Sequence, residues 1–374
     1  MSLPSGSSLH RSLFLLCLLA ACNSTDDPIR IGILGPLSNN DGSPMRNAAI
    51  LAAEEINKSG GIGGRRIELI ERDDHGDVDS ALAAAGELLR SDVVAVVGSV
   101  YSSITLSVAP VFNGSSNPVV QISPSSSSPA VSQAGPYTFR VCPSDLAHGG
   151  ALARFVRERL HLNRAAVVYQ NDEYGRGMRQ AFLQEFARLG GSVLGVDPYI
   201  QSAGVPAPYF ERLVAGVQPQ IVFVAGMAKE AGQAIRVARG LGLDAAFMGG
   251  DGLSDLAETD PVAEGTFISV AYLEDHPSPR NLEFVQKYRA RFPNSARLNK
   301  SGAGTYEALF LLRDIINQVG TSRQRIRDAL AEVGGSAPAY EGLTGPIAFD
   351  ENGDVPSLPV VVGVVRQGAL RAVE

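Results

Sequence analysis

From Ile29 onward the chain repeats one pattern: a short apolar, often β-branched run, then a longer segment with apolar residues at every third or fourth position. The short runs are "IRIGILG" (29–35), "RIELIE" (66–71), "VVAVVGS" (93–99), "PVVQIS" (118–123), "AAVVYQ" (165–170), "SVLGVDPYI" (192–200), "IVFVAG" (221–226), "AAFMGG" (245–250) and "TFISVAY" (266–272). Continuously apolar strands of this length are buried on both faces, as in a parallel sheet covered by helices. The longer segments (47–57, 80–90, 151–160, 178–190, 230–242) carry helical periodicity. Strand and helix in alternation predict βαβ units, hence a doubly wound α/β fold. After 272 the pattern turns mostly helical (281–292, 302–318, 322–333) and ends in a strand, "PVVVGVV" (359–365). So many strands exceed one compact sheet, so two lobes are expected, with a break near "FRVCPSD" (139–145).

Composition narrows the function. The formal net charge is −7 and there is no Lys/Arg-rich run, which argues against nucleic acid as a partner. The apolar run 13–21 is too short to span a bilayer and suits a secretory signal. It ends in Leu19-Ala20-Ala21-Cys22, which resembles a bacterial lipobox, so Cys22 is expected to carry a lipid that anchors an extracytoplasmic, periplasmic protein to the membrane. A plain signal peptide with an accidental Cys is the alternative. With Cys17 removed and Cys22 acylated, only Cys142 remains, and no disulfide can form within the body.

In doubly wound sheets, ligands sit beyond the carboxyl ends of the strands. "VYSSIT" (100–105) follows one run, and Ser102, Ser103 and Thr105 open a helical pattern whose free N–H groups suit a carboxylate. Capping of that helix is the other reading. "SPSSSSPA" follows another run, and its serines could face the same point or form a solvated loop. In "NDEYGRGM", Gly175 and Gly177 are expected to let the backbone turn, with Tyr174 projecting into the cleft or lying on the surface. Asp251 ends a strand as a counter-charge for an ammonium or as an Asp-Gly turn residue.

Other motifs fail. "GLGLDA" (240–245) ends a helix instead of following a strand, so it is no dinucleotide loop. Asp350, Asn352 and Asp354 begin like a calcium loop, but Val355 and Val361 replace the required Gly and Glu, and a turn is expected. "RDDHGD" (72–77) reads as a polar loop, and the five histidines show no metal-ligand spacing. Neither a nucleophile–base–orienter set nor a cofactor motif occurs, so a binding protein without metal or cofactor is expected rather than an enzyme.

Taken in order, "IRIGILGPLS", "AAEEINKSGGIGGRRIELIERDD", "VVGSVYSSIT", "VVQISPSSSSPAVS", "YTFRVCPSD", "VVYQNDEYGRGM" and "LTGPIAFDENGDV" resemble the type I periplasmic solute-binding proteins of ABC transporters, in the leucine/isoleucine/valine-binding branch. The resemblance implies two Rossmann-like lobes joined by three crossovers, near Pro143, Ala271 and Gly345. Lobe one would comprise 29–142 and 272–344, and lobe two 143–271 and 345–374, after a signal peptide (1–21) and a tether (22–28). It further implies capture of an amino acid by lobe closure, delivery to permease subunits in the membrane, and action as a monomer. By similarity, Ser102 and Ser127 hold the ligand carboxylate, Ser125 adds a backbone contact, Tyr174 closes over the ligand and Asp251 takes its ammonium. Two departures bear on specificity. Met227 stands where leucine binders have Tyr, and Asp41 lies near their first-loop aromatic. Gly76 and Tyr101 occupy the positions of the family's first-lobe disulfide. A sensing module of the same fold, or a binder of amides or small organic acids, stays open.

Overall fold

The computed structural model describes residues 27–373, so the expected signal segment and Cys22 lie outside the described residues. The strands are β1 Ile29–Gly35, β2 Ile67–Asp73, β3 Ala95–Gly98, β4 Val120–Ser123, β5 Thr138–Arg140, β6 Arg164–Gln170, β7 Ser192–Tyr199, β8 Ile221–Ala225, β9 Ala246–Gly249, β10 Phe267–Val270, β11 Tyr340–Glu341, β12 Pro346–Ile347, β13 Val361–Arg366 and β14 Ala369–Ala372. The helices are α1 Ser43–Lys58, α2 Val78–Arg90, α3 Ser102–Asn113, α4 Asp145–Arg154, α5 Glu173–Arg188, α6 Ala207–Ala215, α7 Ala228–Gly240, α8 Leu256–Thr259, α9 Pro279–Arg291, α10 Lys300–Val319 and α11 Arg323–Glu332.

These elements build two large sheets and a separate antiparallel pair, β11–β12. The first runs β2-β1-β3-β4-β5, all parallel. The second runs β14-β13-β10-β9-β8-β6-β7, parallel from β10 to β7, with β13 and β14 added antiparallel. Each central strand is apolar on both faces because helices cover both. Ile29, Ile31 and Ile33 of β1 face the core under α1, α10 and α11, while Leu34 faces α2 and α3. Likewise Val222 and Val224 of β8 face α6 and α7, while Ile221 and Phe223 face α4 and α5, where Phe182 stacks on Phe223 at 4.3 Å.

Three expectations change. "SVLGVDPYI" is not a doubly covered strand: β7 is the edge of its sheet, and its outward side chains Leu194 and Val196 are exposed. The final strand does not stand alone, because it turns back as the β13–β14 hairpin. The third crossover falls later than Gly345. Ile347, Phe349, Val355 and Leu358 are buried in the core of the first sheet, and the chain joins the second only at Val361. Those apolar residues lie in irregular backbone, so no periodicity announces which core they enter. The segment 350–354 is a turn as expected, closed by the Asp350 carboxylate accepting from the N–H groups of Asn352 and Asp354.

In each sheet the strand order reverses once, between β1 and β3 and between β6 and β8. Such switch points open a crevice beyond the carboxyl ends of the strands. Here the two crevices share one cleft, since residues following β1, β3, β6 and β8 line the same cavity. Among the described residues no helix is long and apolar enough to cross a membrane.

Candidate functional site

The first wall of this cleft is made of loops that follow strands. Tyr101, in extended backbone, precedes α3, and Ser102 is its first residue, so the free N–H groups of the helix open toward the cleft. The serine stretch after β4 is not slack. Ser126, Ser127 and Ser128 are all buried. Ser123 Oγ donates to Ser99 O (2.8 Å) and accepts from Ser126 N–H (2.9 Å). Ser125 Oγ donates to Val100 O (3.1 Å), and Ser102 Oγ accepts from Ser128 N–H (3.2 Å). Ser127 Oγ alone among these hydroxyls has no hydrogen-bond partner, and Ser127 lines the cavity.

Arg140 holds the stretch from behind, a role that the sequence did not signal. Fully buried, it donates to Ser128 O (2.9 Å) and Ser132 Oγ (3.0 Å), and it meets the Asp354 carboxylate at 2.7 Å with both Nη2 and Nε. Nothing in the run Thr138-Phe139-Arg140 marks that arginine as buried, since a strand-end charge is ordinarily solvated. "RDDHGD" is also less solvated than expected. Asp74 is fully buried, accepts from Ser99 Oγ and from Gly76 N–H (2.8 Å), and burial pushes its acid above the ordinary value. A Cβ on Gly76 would lie 3.0 Å from the Tyr101 ring, so these two residues are neighbours in space.

The second wall comes from the other sheet. Asp172 caps α5 by accepting from Gly175 N–H (2.7 Å). Gly175 and Gly177 are not turn residues, since both are helical. They permit close approach: a Cβ on Gly175 would fall 2.1 Å from Gln170 O, and one on Gly177 would fall 2.8 Å from Pro129 Cδ and 2.9 Å from Asp145 Oδ2. Tyr174 is thereby held at the cleft, where its hydroxyl donates to Asp251 Oδ1 (3.0 Å) and accepts from Gly252 N–H (3.0 Å). Met227 precedes α7 and lines the same cavity.

Behind Asp251 lies a buried polar group that the sequence did not reveal. His148 is fully buried, with Nδ1 3.0 Å from Ser269 Oγ and Nε2 3.9 Å from Asp251 Oδ2. Burial pulls its pKa down against the attraction of Asp251, so at neutral pH the contact is not an ion pair. Asp145 is fully buried, and burial, then the Asp251 charge, push its acid well above the carboxylate range, while the neighbouring Ser127 hydroxyl pulls the other way. The same causes push up the Tyr174 phenol, so it stays a donor. Cys142 is buried, its thiol pushed up to about 12 by burial, and is inert at neutral pH.

Ser102, Ser125, Ser127, Tyr101, Tyr174, Met227 and Asp251 thus all line one cavity of about 100 Å³. Hydroxyls and a helix N-terminus form one side, and a tyrosine–carboxylate pair forms the other. That arrangement can hold a carboxylate and an ammonium at once. Among the described residues, no group of three or more His, Cys, Asp or Glu is placed to hold a metal ion.

A family of periplasmic binding proteins matches residues 28–369. The leucine-, isoleucine-, valine-, threonine- and alanine-binding protein of Pseudomonas aeruginosa is 27% identical over 375 residues, covering 94% of each chain. A leucine-binding protein from Thermotoga maritima superposes with a TM-score of 0.84 at 25% identity, over 92% of this chain and 98% of that one. A solute-binding protein from Rhodopseudomonas palustris in complex with 3,4-dihydroxybenzoic acid shares the fold, with a TM-score of 0.79 at 21% identity, over 93% and 96%. With two facing switch points and one shared cavity, the chain belongs to the type 1 periplasmic binding protein family, a family of solute-binding proteins and not of enzymes.

Proposed function

We propose that this protein captures a small amino acid between its two lobes and presents it, as a monomer, to the permease subunits of an ABC importer. The observation that carries this reading is the Tyr174–Asp251 pair standing across one cavity from Ser102 and Ser127. The ligand carboxylate meets the α3 N-terminus and the Ser127 hydroxyl, which has no partner of its own. Its ammonium meets Asp251, with Tyr174 fixing that carboxylate. Lobe one is 29–142 with 272–358, lobe two is 143–271 with 359–373, and ligand shifts the population toward the closed form by binding it better. The amino-acid ligands named for relatives support the class. A thermal-shift and calorimetric screen of amino acids tests it, since ligand at a hundred times its Kd adds about 2.7 kcal/mol of stability.

A carboxylic acid without an ammonium is the second reading, because a structural neighbour holds 3,4-dihydroxybenzoic acid. It predicts that benzoates bind and amino acids do not. The anchor is a separate proposal: Cys22→Ser should release the protein into the soluble fraction, and a variant that stays on the membrane would exclude lipidation at Cys22.

A further inference from the structure

One end of the cavity, lined by Asp41 and Asp255, carries unbalanced charge. Asp41 lines it from the loop after β1, and Asp255 lines it from the start of α8. The two carboxyls therefore come from opposite walls. They lie within electrostatic range of each other: burial first, then the Asp41 charge and Glu258, push the Asp255 acid up to about 6, while Arg297 pulls the other way.

Neither acid has a cation to itself. Asp41 accepts from the Tyr101 hydroxyl, and Asp255 from Ser254 Oγ at a long 3.5 Å. Two cations line the cavity, and both are engaged elsewhere. Arg297 lies 3.3 Å from Glu258 and 4.0 Å from Glu274, and Lys300 pairs with Glu307 at 3.1 Å in a buried contact.

One unused buried polar atom also faces the cavity. Tyr272 lines the cavity, and its buried hydroxyl has no partner. An aliphatic side chain would leave both carboxyls without a counter-charge and the Tyr272 hydroxyl without a partner. A donor-rich cation would meet them.

We propose that this end of the cavity takes an ammonium or guanidinium on the ligand's side chain, so that the solute is an amino acid with a basic side chain. This rests on the capture of an amino acid proposed above. Asp251 then serves the α-ammonium, and Asp41 and Asp255 serve the distal cation.

Calorimetry on the full chain at pH 7.5, with L-lysine, L-arginine, L-leucine and L-glutamate as probes, tests it. Lysine or arginine should bind at least about tenfold (about 1.4 kcal/mol) more tightly than leucine, and glutamate most weakly. In D41N/D255N the affinity for the basic probe should fall at least about tenfold, with leucine within about threefold of its original value. Leucine binding best, glutamate binding best, or a folded D41N/D255N that binds lysine and arginine unchanged would overturn the basic-side-chain assignment and leave amino-acid capture standing. If no amino acid binds and benzoate does, both fall together.

Discussion

The Tyr174 hydroxyl donates to Asp251 Oδ1 at 3.0 Å and accepts from Gly252 N–H at 3.0 Å, so one phenol fixes both the carboxylate and the backbone beside it. Asp251→Asn keeps the acceptor and removes the charge. Amino-acid affinity should fall roughly 10- to 100-fold, the worth of one charge-assisted hydrogen bond of about 1.5–3 kcal/mol. A ligand with the same skeleton but no ammonium should lose less than about threefold by calorimetry. Equal losses for both would remove Asp251 from the ammonium.

Ser127 and Ser102 should separate in their effects. Ser127 Oγ makes no hydrogen bond of normal geometry and only acts weakly on the buried Asp145 acid beside it, so Ser127→Ala should lower the unfolding midpoint less than Ser102→Ala does while weakening a carboxylate ligand about 5- to 10-fold. Ser102 Oγ also supports Ser128 N–H, so Ser102→Ala should lower both affinity and stability. A fall in the midpoint for Ser127→Ala with affinity intact would reverse this assignment.

Gly177 is where α5 meets the turn at Pro129. In Gly177→Ala the new Cβ would need to lie 2.8 Å from Pro129 Cδ, and both neighbours are stiff. The variant should favour the open form, with weaker ligand binding and a larger radius of gyration in solution scattering when ligand is present. An unchanged radius and affinity would show that the lobes do not approach there.

Asp255 supplies a pH dependence with a definite sign. Its acid is raised from 3.8 to about 6, so between those values the folded protein holds a proton that the unfolded chain has released. This contribution makes stability fall as pH rises through that window and level off above it. Burial sets it first, then the Asp41 and Glu258 charges, while Arg297 and the Ser254 hydroxyl act the other way. Asp255→Asn should flatten the slope between pH 4 and 6 and raise stability at pH 7 by about 1–3 kcal/mol, measured by denaturant unfolding. A variant with the original slope would place the titration elsewhere.

Breaking the Arg140–Asp354 pair should unfasten the serine stretch. Asp354→Ala leaves a fully buried guanidinium without its counter-charge and should cost about 3–5 kcal/mol. Because Arg140 also holds the Ser126 and Ser128 carbonyls, ligand affinity should fall too. Loss of stability with unchanged affinity would confine the pair to the fold.

What the sequence determined by itself follows from local rules. Runs such as "VVAVVGS" and "IVFVAG" could only be strands covered on both faces, and with the helical segments between them they required a doubly wound α/β architecture. The residues just after those strands were legible as site candidates, because carboxyl ends of parallel strands are where such folds bind. Ser102, Ser125, Ser127, Tyr174 and Asp251 indeed share one cavity.

The tertiary structure decided what depends on contacts between distant segments. "SVLGVDPYI" reads like a covered strand, but it is an edge, since nothing within the run records that no neighbour pairs on its far side. Residues 346–358 enter the first core without periodicity, because irregular backbone lets single apolar residues point inward. Arg140 reached Asp354 from 214 positions away. Ion pairing of this kind acts over a few ångströms in space and leaves no spacing in the chain. The Asp41 charge likewise acts on Asp255 from another segment, by repulsion. The serine stretch shows the limit most plainly: its composition alone fits slack chain, and only its buried partners make it a wall of the site.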